Sequence, residues 1–475
     1  MPRKMLIKNG LVVTLDGPRG DGEKLAILLE GPRIVAIDRE IEAGDAEIVD
    51  ASNMLVMPGF VDTHRHTWQT MLRGLASDWS LAQYAKGAHA TFKHLYTPSD
   101  IYLGNLLGRI EALSSGITTM LDWSHGISSP EHADAAAQGL IDAPGRSVFG
   151  YSAHFGFPNN TPIDEDLRRL RETVFSRNDG LVTLALGLRG PQYTSIERTE
   201  ADVRLARDLD LNVTVHGGSA GWGKNRPVGR MFERGLLDRR TTVVHCNTIG
   251  DDEIAMMGDC GCTASVSPFV EIQMGFGWPA TGRLLARGIR PSLSIDTCTA
   301  VCGDMFRTMN TALIAQRGLD NEEKGSAPDQ QGLDLRCRDV VEFATIEGAR
   351  ACGLDRRIGT LEVGKEADLI FLKMDDPTVF PVNYPLGMVA ISGHPGLVDS
   401  VMVAGQFVKR GGNLIGVDLP RLQALGVDSR ERLIARAKAQ HDADLALALD
   451  GSWHPPTADY TAAAVTGRNT VSGRD

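Results

Sequence analysis

Eight apolar runs that alternate with helix-length stretches are the feature that most constrains the fold of this chain. Between residues 54 and 296 the runs are MLVMPGFVDTH, GITTMLDW, SVFGYSAH, LVTLALGL, NVTVH, TTVVH, TASVS and RPSLSID. Apolar strands that alternate with helices are typical of parallel βα units, and eight such units can close into a barrel. We therefore predict an eight-stranded α/β barrel.

Polar residues collect at the carboxyl ends of these runs. In a barrel of this kind all the carboxyl ends meet at one mouth, where the chemistry is done. A single histidine at a strand end is more often a surface or core residue than a ligand, but the whole set indicates an active site. The residues at the run ends are His64, His66, Asp122, His125, His154, Arg189, His216, His245, Ser267 and Asp296.

Two of these histidines, His64 and His66, are separated by a single residue. Alternate side chains of a strand project from the same face, so both imidazoles can reach one metal ion. Two histidines around one residue also occur by accident on surfaces. Asp296 ends the last run, where a buried carboxylate is costly without a metal or a partner.

Short strand-like runs at both chain ends surround the barrel. Residues 1–57 and 359–415 carry alternating or apolar runs separated by Gly, Pro and Asp turns. We predict a small β-sandwich built from both chain ends, with the barrel at 58–358 inserted between its two parts. Residues 416–475 are predicted to be a C-terminal helix and a tail, which is either an arm on a surface or disordered.

Composition excludes several classes of function. The chain has 475 residues, 42% of them hydrophobic, and a formal net charge of -11 without a basic block, so nucleic acid is not an expected partner. No apolar run reaches the roughly 20 residues of a membrane helix, and the N-terminus lacks a signal-peptide pattern. The seven cysteines form no CxxC pair and are predicted to be reduced. We expect a cytoplasmic homo-oligomer that acts on a small molecule and has no membrane partner.

Several motifs, in the correct order, resemble the amidohydrolase superfamily of metal-dependent hydrolases, and within it the cytosine deaminase and chlorohydrolase-like branch. PGFVDTHRHTWQTMLRGLASDWSLAQY resembles the first metal motif of that branch. EALSSGITTMLDW, VTVHGG, VVHCN, SIDT and GTLEVGKEADLIFL are similar to its later motifs. The resemblance implies a (β/α)8 TIM-type barrel inserted in a β-sandwich, and an enzyme that hydrolyses non-peptide C–N bonds.

The resemblance also implies a metal site. It places the metal ligands at His64, His66, His216 and Asp296. Three imidazoles and one carboxylate suit Zn²⁺, with Fe²⁺ as the alternative, and leave a position open for water. His245 corresponds to a residue that polarises the substrate or moves a proton.

One metal ion per chain is expected. No lysine occurs between Lys93 and Lys224, so the bridging lysine of binuclear relatives cannot be supplied. In such a mononuclear site, metal-bound hydroxide would attack an sp² carbon of a small nitrogen heterocycle or amidine. Asp296 would orient the hydroxide and accept its proton, and His245 would stabilise the developing charge.

Two departures from the branch fall at the substrate. Deaminases of the branch usually carry a glutamate three residues after the strand 5 histidine, where this chain has Ser219. Arg189 stands where many relatives place a substrate-binding histidine, and it indicates either an anionic or carbonyl-bearing substrate or an internal salt bridge. Trp68 and Gln69, which follow the first metal motif, are further candidate substrate contacts.

Three explanations of the missing glutamate remain open. Glu271 or His125 could replace it, although a solvated loop carboxylate and a loop or helix-capping hydrogen bond explain these two residues as well. Alternatively, the substrate needs no ring protonation, or the protein binds metal without standard deaminase activity. The leading hypothesis is deaminase-type C–N hydrolysis, and the alternative is a dechlorinating or other non-deaminating hydrolase of the same branch.

Overall fold

A computed structural model of the chain describes residues 3–17, 21–153, 163–325 and 332–440. The predicted combination of a parallel eight-stranded barrel with additional sheets is confirmed. His154 and the predicted tail beyond residue 440 lie outside the described residues.

Seven strands precede the barrel strands in the chain. Their apolar side chains, such as Leu6 and Leu29, are buried in the sandwich core. The strands are β1 (Lys4–Lys8), β2 (Leu11–Val12), β3 (Glu23–Lys24), β4 (Ala26–Glu30), β5 (Arg33–Asp38), β6 (Glu47–Asp50) and β7 (Met54–Pro58).

The barrel contains one strand from each of the eight predicted runs. Neighbours in sequence are neighbours in the sheet, and every pair is parallel. Such strands are covered on both faces, which explains why they are continuous apolar runs instead of alternating ones. They are β8 (Phe60–Arg65), β9 (Ile117–Ile127), β10 (Arg146–Ala153), β11 (Val182–Leu188), β12 (Val213–Gly217), β13 (Thr241–His245), β14 (Thr263–Val266) and β15 (Ser292–Leu293).

Backbone hydrogen bonds close the barrel between its first and last strands. The Asp296 N–H donates to the His64 carbonyl at 2.8 Å, and the His66 N–H donates to the Asp296 carbonyl at 2.7 Å. Arg65 and Asp296 form the corresponding parallel bridge. The closure therefore brings together three residues predicted to bind the metal.

Four strands follow the barrel and complete the sandwich: β16 (Leu369–Lys373), β17 (Val398–Val403), β18 (Gln406–Arg410) and β19 (Asn413–Leu414). One sheet has the order β5, β4, β1, β6, and the other has the order β19, β18, β17, β16, β7, β2, β3. Because the second sheet pairs β7 with β16, it joins both chain ends as predicted. The domain boundaries proposed from the sequence stay predictions.

The first predicted run divides at Gly59 into two strands that belong to different sheets. A Cβ atom at Gly59 would lie 2.2 Å from Thr118 Cγ2, so only glycine allows this close approach of the chain to β9. The sequence indicated one continuous strand there. The division lets β7 pair in the sandwich while β8 enters the barrel.

The helices lie mainly between the barrel strands. Two π-helical segments span Ala85–Phe92 and Met388–Ser392, and 3₁₀ turns span Thr67–Leu72, Lys93–Leu95, Ala220–Asn225 and Pro395–Leu397. No helix in the described ranges is long and apolar enough to cross a bilayer. The α-helices are α1 (Leu81–Tyr84), α2 (Pro98–Ser114), α3 (Pro130–Asp142), α4 (Ile163–Glu172), α5 (Gly190–Tyr193), α6 (Ile196–Asp208), α7 (Pro227–Glu233), α8 (Asp251–Asp259), α9 (Pro268–Gln273), α10 (Thr281–Leu285), α11 (Met305–Glu323), α12 (Cys337–Phe343), α13 (Ile346–Ala351), α14 (Pro385–Gly387) and α15 (Leu419–Gln440).

A buried ion pair joins the barrel to the sandwich. Arg146, the first residue of β10, donates from Nε to Asp368 Oδ2 at 2.8 Å and from Nη2 to Glu366 Oε2 at 2.6 Å. The side chains of Arg146 and Asp368 are 1% and 3% exposed. The burial of Arg146 and Asp368 is tolerated because the guanidinium and the carboxylate have opposite charges and are hydrogen-bonded to each other.

Replacing Arg146 by Met should destabilise the protein by about 3 to 5 kcal/mol, because Asp368 would stay buried without its cation. Urea unfolding followed by circular dichroism measures the change. Arg177→Met is the matched control, since the Arg177–Asp179 pair is 86% and 60% exposed and such a pair contributes about 1 kcal/mol or less. Equal stability of the two variants would contradict the structural role of Arg146.

Candidate metal centre and catalytic site

Five buried side chains converge at the mouth of the barrel. The ligand atoms of His64, His216 and His245 lie within 4.8 Å of one another, and so do those of His64, His66 and Asp296. None of the five residues is more than 6% exposed. The four predicted metal ligands are therefore brought together, and His245 lies among them.

The distances between the donor atoms fit one metal ion. Asp296 Oδ1 lies 3.4 Å from His64 Nε2 and 3.2 Å from His66 Nε2. Two ligands of a tetrahedral zinc ion, with bonds of about 2.0 to 2.1 Å, lie about 3.3 Å apart. The ring nitrogens of His64 make no hydrogen bond within the described part of the chain. A buried imidazole of this kind is suited to a metal ion.

The tautomer of His66 follows from its surroundings. His66 Nδ1 lies 3.0 Å from the backbone carbonyl oxygen of Trp123. Because a carbonyl only accepts, Nδ1 must carry the proton and Nε2 presents its lone pair toward Asp296. An imidazole held in this way by a second hydrogen bond is typical of metal-binding histidines.

The protonation states of the donors also suit a metal. Burial lowers the pKa of His64 to about 3 and that of His216 well below the ordinary value. Burial by itself would raise the pKa of Asp296, but the adjacent imidazoles of His64 and His66 outweigh it and hold that pKa well below its usual range. At neutral pH these side chains are in the deprotonated forms that bind metals.

The backbone at two strand ends is strained. His245 and Cys246 have φ angles of 75° and 60°, and Asp296 has a φ of 66°. The left-handed region costs a non-glycine residue on the order of 1 kcal/mol or more, and such residues cluster at functional sites. At His245 and Asp296 the strain turns the side chains into the barrel mouth.

His245 is held from behind by Glu271. His245 Nδ1 lies 3.0 Å from Glu271 Oε1, which also accepts the Ser267 N–H at 2.8 Å, while Glu271 Oε2 accepts from Asn247 Nδ2 at 3.1 Å. These donors require an accepting carboxylate, so Nδ1 carries the histidine proton. Nε2 then faces the mouth, 3.9 Å from Asp296 Oδ2.

Glu271 is fully buried, with 0% exposure. The alternative that it is a solvated loop carboxylate is therefore wrong. Glu271 is also absent from the residues that line the cavity above the metal ligands. It contacts His245 and not the space for a substrate, which corrects its predicted place as a directly catalytic residue.

A cavity of about 260 Å³ opens over the metal ligands. His66, His216, His245 and Asp296 form its floor. Apolar, aromatic and basic side chains form the rest, and they are Leu81, Tyr84, Ala85, His89, Ala90, Lys93, His125, Tyr193, Ser219 and Phe276.

Two of the five predicted substrate contacts, His125 and Ser219, line this cavity. Ser219 Oγ accepts from Gln192 Nε2 at 3.2 Å, and Gln192 Oε1 accepts the Gly218 N–H at 2.8 Å. With Gln192 as its donor, the Ser219 hydroxyl can direct its own proton to a ligand. His125 belongs to β9, so its alternative explanation as a helix cap is wrong.

Arg189 does not line the cavity. Its Nε donates to Asp202 Oδ2 at 2.9 Å, and Nη2 donates to the other oxygen of the same carboxylate. The side chains of the pair are 10% and 3% exposed. The geometry favours the internal salt bridge over the predicted contact with a substrate.

Trp68 and Gln69 lie behind the cavity wall. Trp68 Nε1 donates to His125 Nδ1 at 2.9 Å, and Gln69 Nε2 donates to the Tyr84 hydroxyl at 2.6 Å. Both are 0% exposed. They hydrogen-bond to the cavity-lining residues His125 and Tyr84 and do not line the cavity themselves, which corrects their predicted place.

Sequence reasoning missed several cavity residues, notably Tyr84, His89, Lys93, Tyr193 and Phe276. One signal could have found two of them. His89 and Lys93 are four residues apart in an alanine-rich segment, so they share one helix face directly after the first metal motif.

A model of the amidohydrolase family matches residues 55–408. The chain therefore belongs to the amidohydrolase family, as its motifs predicted. It is an enzyme, a hydrolase that acts on non-peptide C–N bonds.

Two characterised types of deaminase are similar to this chain in sequence. The 5-methylthioadenosine/S-adenosylhomocysteine deaminase of Symbiobacterium thermophilum is 28% identical over 425 residues, which cover 85% of this chain and 93% of that protein. The 5'-deoxyadenosine deaminase of Methanothermobacter thermautotrophicus is 28% identical over 403 residues, which cover 82% of this chain and 90% of that protein.

Two crystal structures are similar in fold. An adenosine deaminase from Xanthomonas campestris with bound zinc has a TM-score of 0.80 at 24% identity and covers 91% of this chain and 99% of its own. The atrazine chlorohydrolase of Arthrobacter aurescens TC1, complexed with zinc, has a TM-score of 0.80 at 22% identity and covers 90% of this chain and 100% of its own. At these identities the likeness shows the fold alone.

Replacing His216 or Asp296 by Ala should remove most of the divalent metal from protein that otherwise holds about one ion per chain. Elemental analysis of protein purified without chelators measures this. Ser219→Ala, in the same cavity but outside the donor set, should keep its metal. Two ions per chain in the parent, or full metal content in Asp296→Ala, would contradict the assignment.

Proposed function

We propose that this chain is a hydrolytic deaminase of a small nitrogen heterocycle and that it uses one divalent ion, zinc in the first place and iron as the alternative. The observation that carries the proposal is the donor set of His64, His66, His216 and Asp296 with the Glu271-supported His245 beside it. The similar sequences named above are deaminases of adenosine-type nucleosides, which supports the reaction class.

The reaction adds water to the carbon that bears the amino group and breaks the C–N bond, so the products are a carbonyl compound and ammonia. His64, His66, His216 and Asp296 would hold the divalent ion, which would lower the pKa of water toward neutrality and so supply a nucleophile. Asp296 accepts a proton from the attacking water. His245 Nε2 lies 3.9 Å from Asp296 Oδ2, the carboxylate oxygen other than the one nearest to His64 and His66, and so it also faces the proposed position of the attacking water.

Proton transfer to the heterocycle needs a group other than Ser219, because a serine hydroxyl does not titrate near neutral pH. His245 has the required arrangement, with Nδ1–H bonded to a buried carboxylate and Nε2 open to the cavity. The Glu271 carboxylate stabilises the imidazole when Nε2 carries a proton, as in other histidine–carboxylate pairs. We infer that His245 moves the proton and that Glu271 is its positioning residue.

The alternatives have less support. Likeness in fold to a chlorohydrolase does not by itself indicate a chlorinated substrate. Loss of catalysis is disfavoured because the similar sequences, which match this chain over more than 80% of its length, are deaminases. A cytoplasmic homo-oligomer, without nucleic acid or membrane partners, remains the prediction from composition.

Ammonia release should be detected when the metal-loaded protein is incubated with a panel of adenosine derivatives, pterins, pyrimidines and amino- or chlorotriazines. His245→Asn should lower the rate by about 10²-fold or more while it keeps its metal, because a positioned proton carrier contributes that much. Chloride release without ammonia would favour dechlorination. Turnover of none of the panel would favour a protein that only binds.

Glu271→Gln should lower kcat by about 10- to 10²-fold with little change in KM or metal content, because a neutral amide cannot stabilise protonated His245. Steady-state kinetics on the substrate found in the panel measure this. Asn247→Ala removes a hydrogen bond to Glu271 but leaves the negative charge of Glu271, so it should lower kcat less than Glu271→Gln does. Activity within a few fold of the parent in Glu271→Gln would exclude the positioning role.

A further inference from the structure

Three basic side chains, His89, Lys93 and His125, form one wall of the cavity, which we term the basic wall. Among the described residues that line the cavity, Asp296 is the sole carboxylate, and it belongs to the metal centre. The part of the cavity beyond the candidate metal ligands is therefore lined by nitrogen groups that can donate hydrogen bonds to a ligand. Such a surface is complementary to an oxygen with negative or partial negative charge.

Contacts between the rings show how the basic wall extends away from the metal centre. His125 stacks on the metal ligand His66 with ring centroids 3.9 Å apart. His89 meets the same His125 ring edge-on at 4.7 Å, while Trp68 donates a hydrogen bond to its Nδ1. Lys93 is close enough to influence His125 electrostatically. The wall thus begins at a metal ligand and continues along the segment that follows α1.

The segment that carries His89 and Lys93 has unusual local geometry. It is π-helical over Ala85–Phe92 and tightens into a 3₁₀ turn at Lys93–Leu95. Departures of this kind from regular α-helix occur frequently at functional sites. Here the change from a wide to a tight helix falls at Lys93, one of the residues that line the cavity.

Lys93 is 2% exposed. Burial lowers the pKa of its amine to about 7, because the charged form loses its hydration. A negatively charged ligand oxygen beside the amine would favour the ammonium form, because its interaction with the charge would offset part of the lost hydration free energy. Arg189, the cation that the sequence suggested as a contact for an anionic substrate, forms a salt bridge with Asp202 instead.

We propose that Lys93 is a specificity-determining residue, which binds an anionic oxygen carried by the heterocyclic substrate at the end remote from the metal centre. The proposal rests on the proposed deaminase function and narrows its substrate class to heterocycles that bear a carboxylate. His125, between the metal ligand His66 and His89, contacts the middle of the ring system.

Binding of matched probes tests the proposal without turnover. Uracil and orotate share one ring and differ by a carboxylate, and calorimetric titration of the metal-loaded parent should show tighter binding of orotate. Lys93→Met, which keeps the length of the side chain without its charge, should weaken orotate binding by about 10- to 100-fold and change uracil binding by only a few fold. Lys93→Arg should keep much of the preference.

Controls separate this role from a structural one. Lys86→Met makes the same change of charge in the π-helical segment that directly precedes Lys93, but Lys86 does not line the cavity, so the preference of this variant for orotate should equal that of the parent. Metal content and thermal midpoint report whether Lys93→Met is intact, and Lys93→Gln serves if the Met variant does not fold.

Three results would overturn the proposal. The first is that the parent binds orotate no more tightly than uracil. The second is that Lys93→Met keeps the full preference for orotate, which would place the carboxylate on the metal. The third is that Lys93→Met weakens the binding of orotate and of uracil equally. Failure of the proposed deaminase function is distinguishable from these results. It would appear as the absence of ammonia release, whereas the Lys93 proposal is tested by the ratio of the affinities for orotate and uracil.

Discussion

The pairing of the first and last barrel strands at Asp296 is the interaction on which the rest of the site depends. Two backbone hydrogen bonds connect this residue to His64 and His66 on β8. They close the barrel and also fix the distances between three side chains of the candidate metal site. Because closure and ligand geometry share the same bonds, a metal ion bound there would stabilise the closed barrel through its binding free energy.

A second layer of hydrogen-bonding groups fixes the orientation of the histidines around the cavity. The Trp123 carbonyl fixes the ring of His66, Glu271 fixes His245, and Trp68 fixes His125. All these contacts are buried, where hydrogen bonds are stronger and alternative partners are excluded. The side chains of the candidate site are thus held in place before a substrate binds, an arrangement that would reduce the reorganisation required by the proposed reaction.

Charge is distributed unevenly around the cavity. Arg189 is paired with Asp202 away from it, whereas His89, Lys93 and His125 line it. With Ser219 at the position where related deaminases carry a glutamate, the region beyond the metal holds no acidic side chain among the described lining residues. Proton transfer and substrate recognition are consequently assigned to different walls, the first to His245 and the second to the basic wall.

The sequence by itself determined the eight barrel strands, because apolar runs are local patterns, and it predicted the metal donors through motifs that resemble those of the amidohydrolase family. Only the tertiary structure decided which side chains face the cavity. Glu271 lies behind His245, Arg189 meets Asp202, and Lys93 lines the cavity from the 3₁₀ turn that follows the π-helical segment. Each of these outcomes depends on how loops fold back over the barrel mouth. Residues distant in the chain set those packing energies, and no local pattern records them.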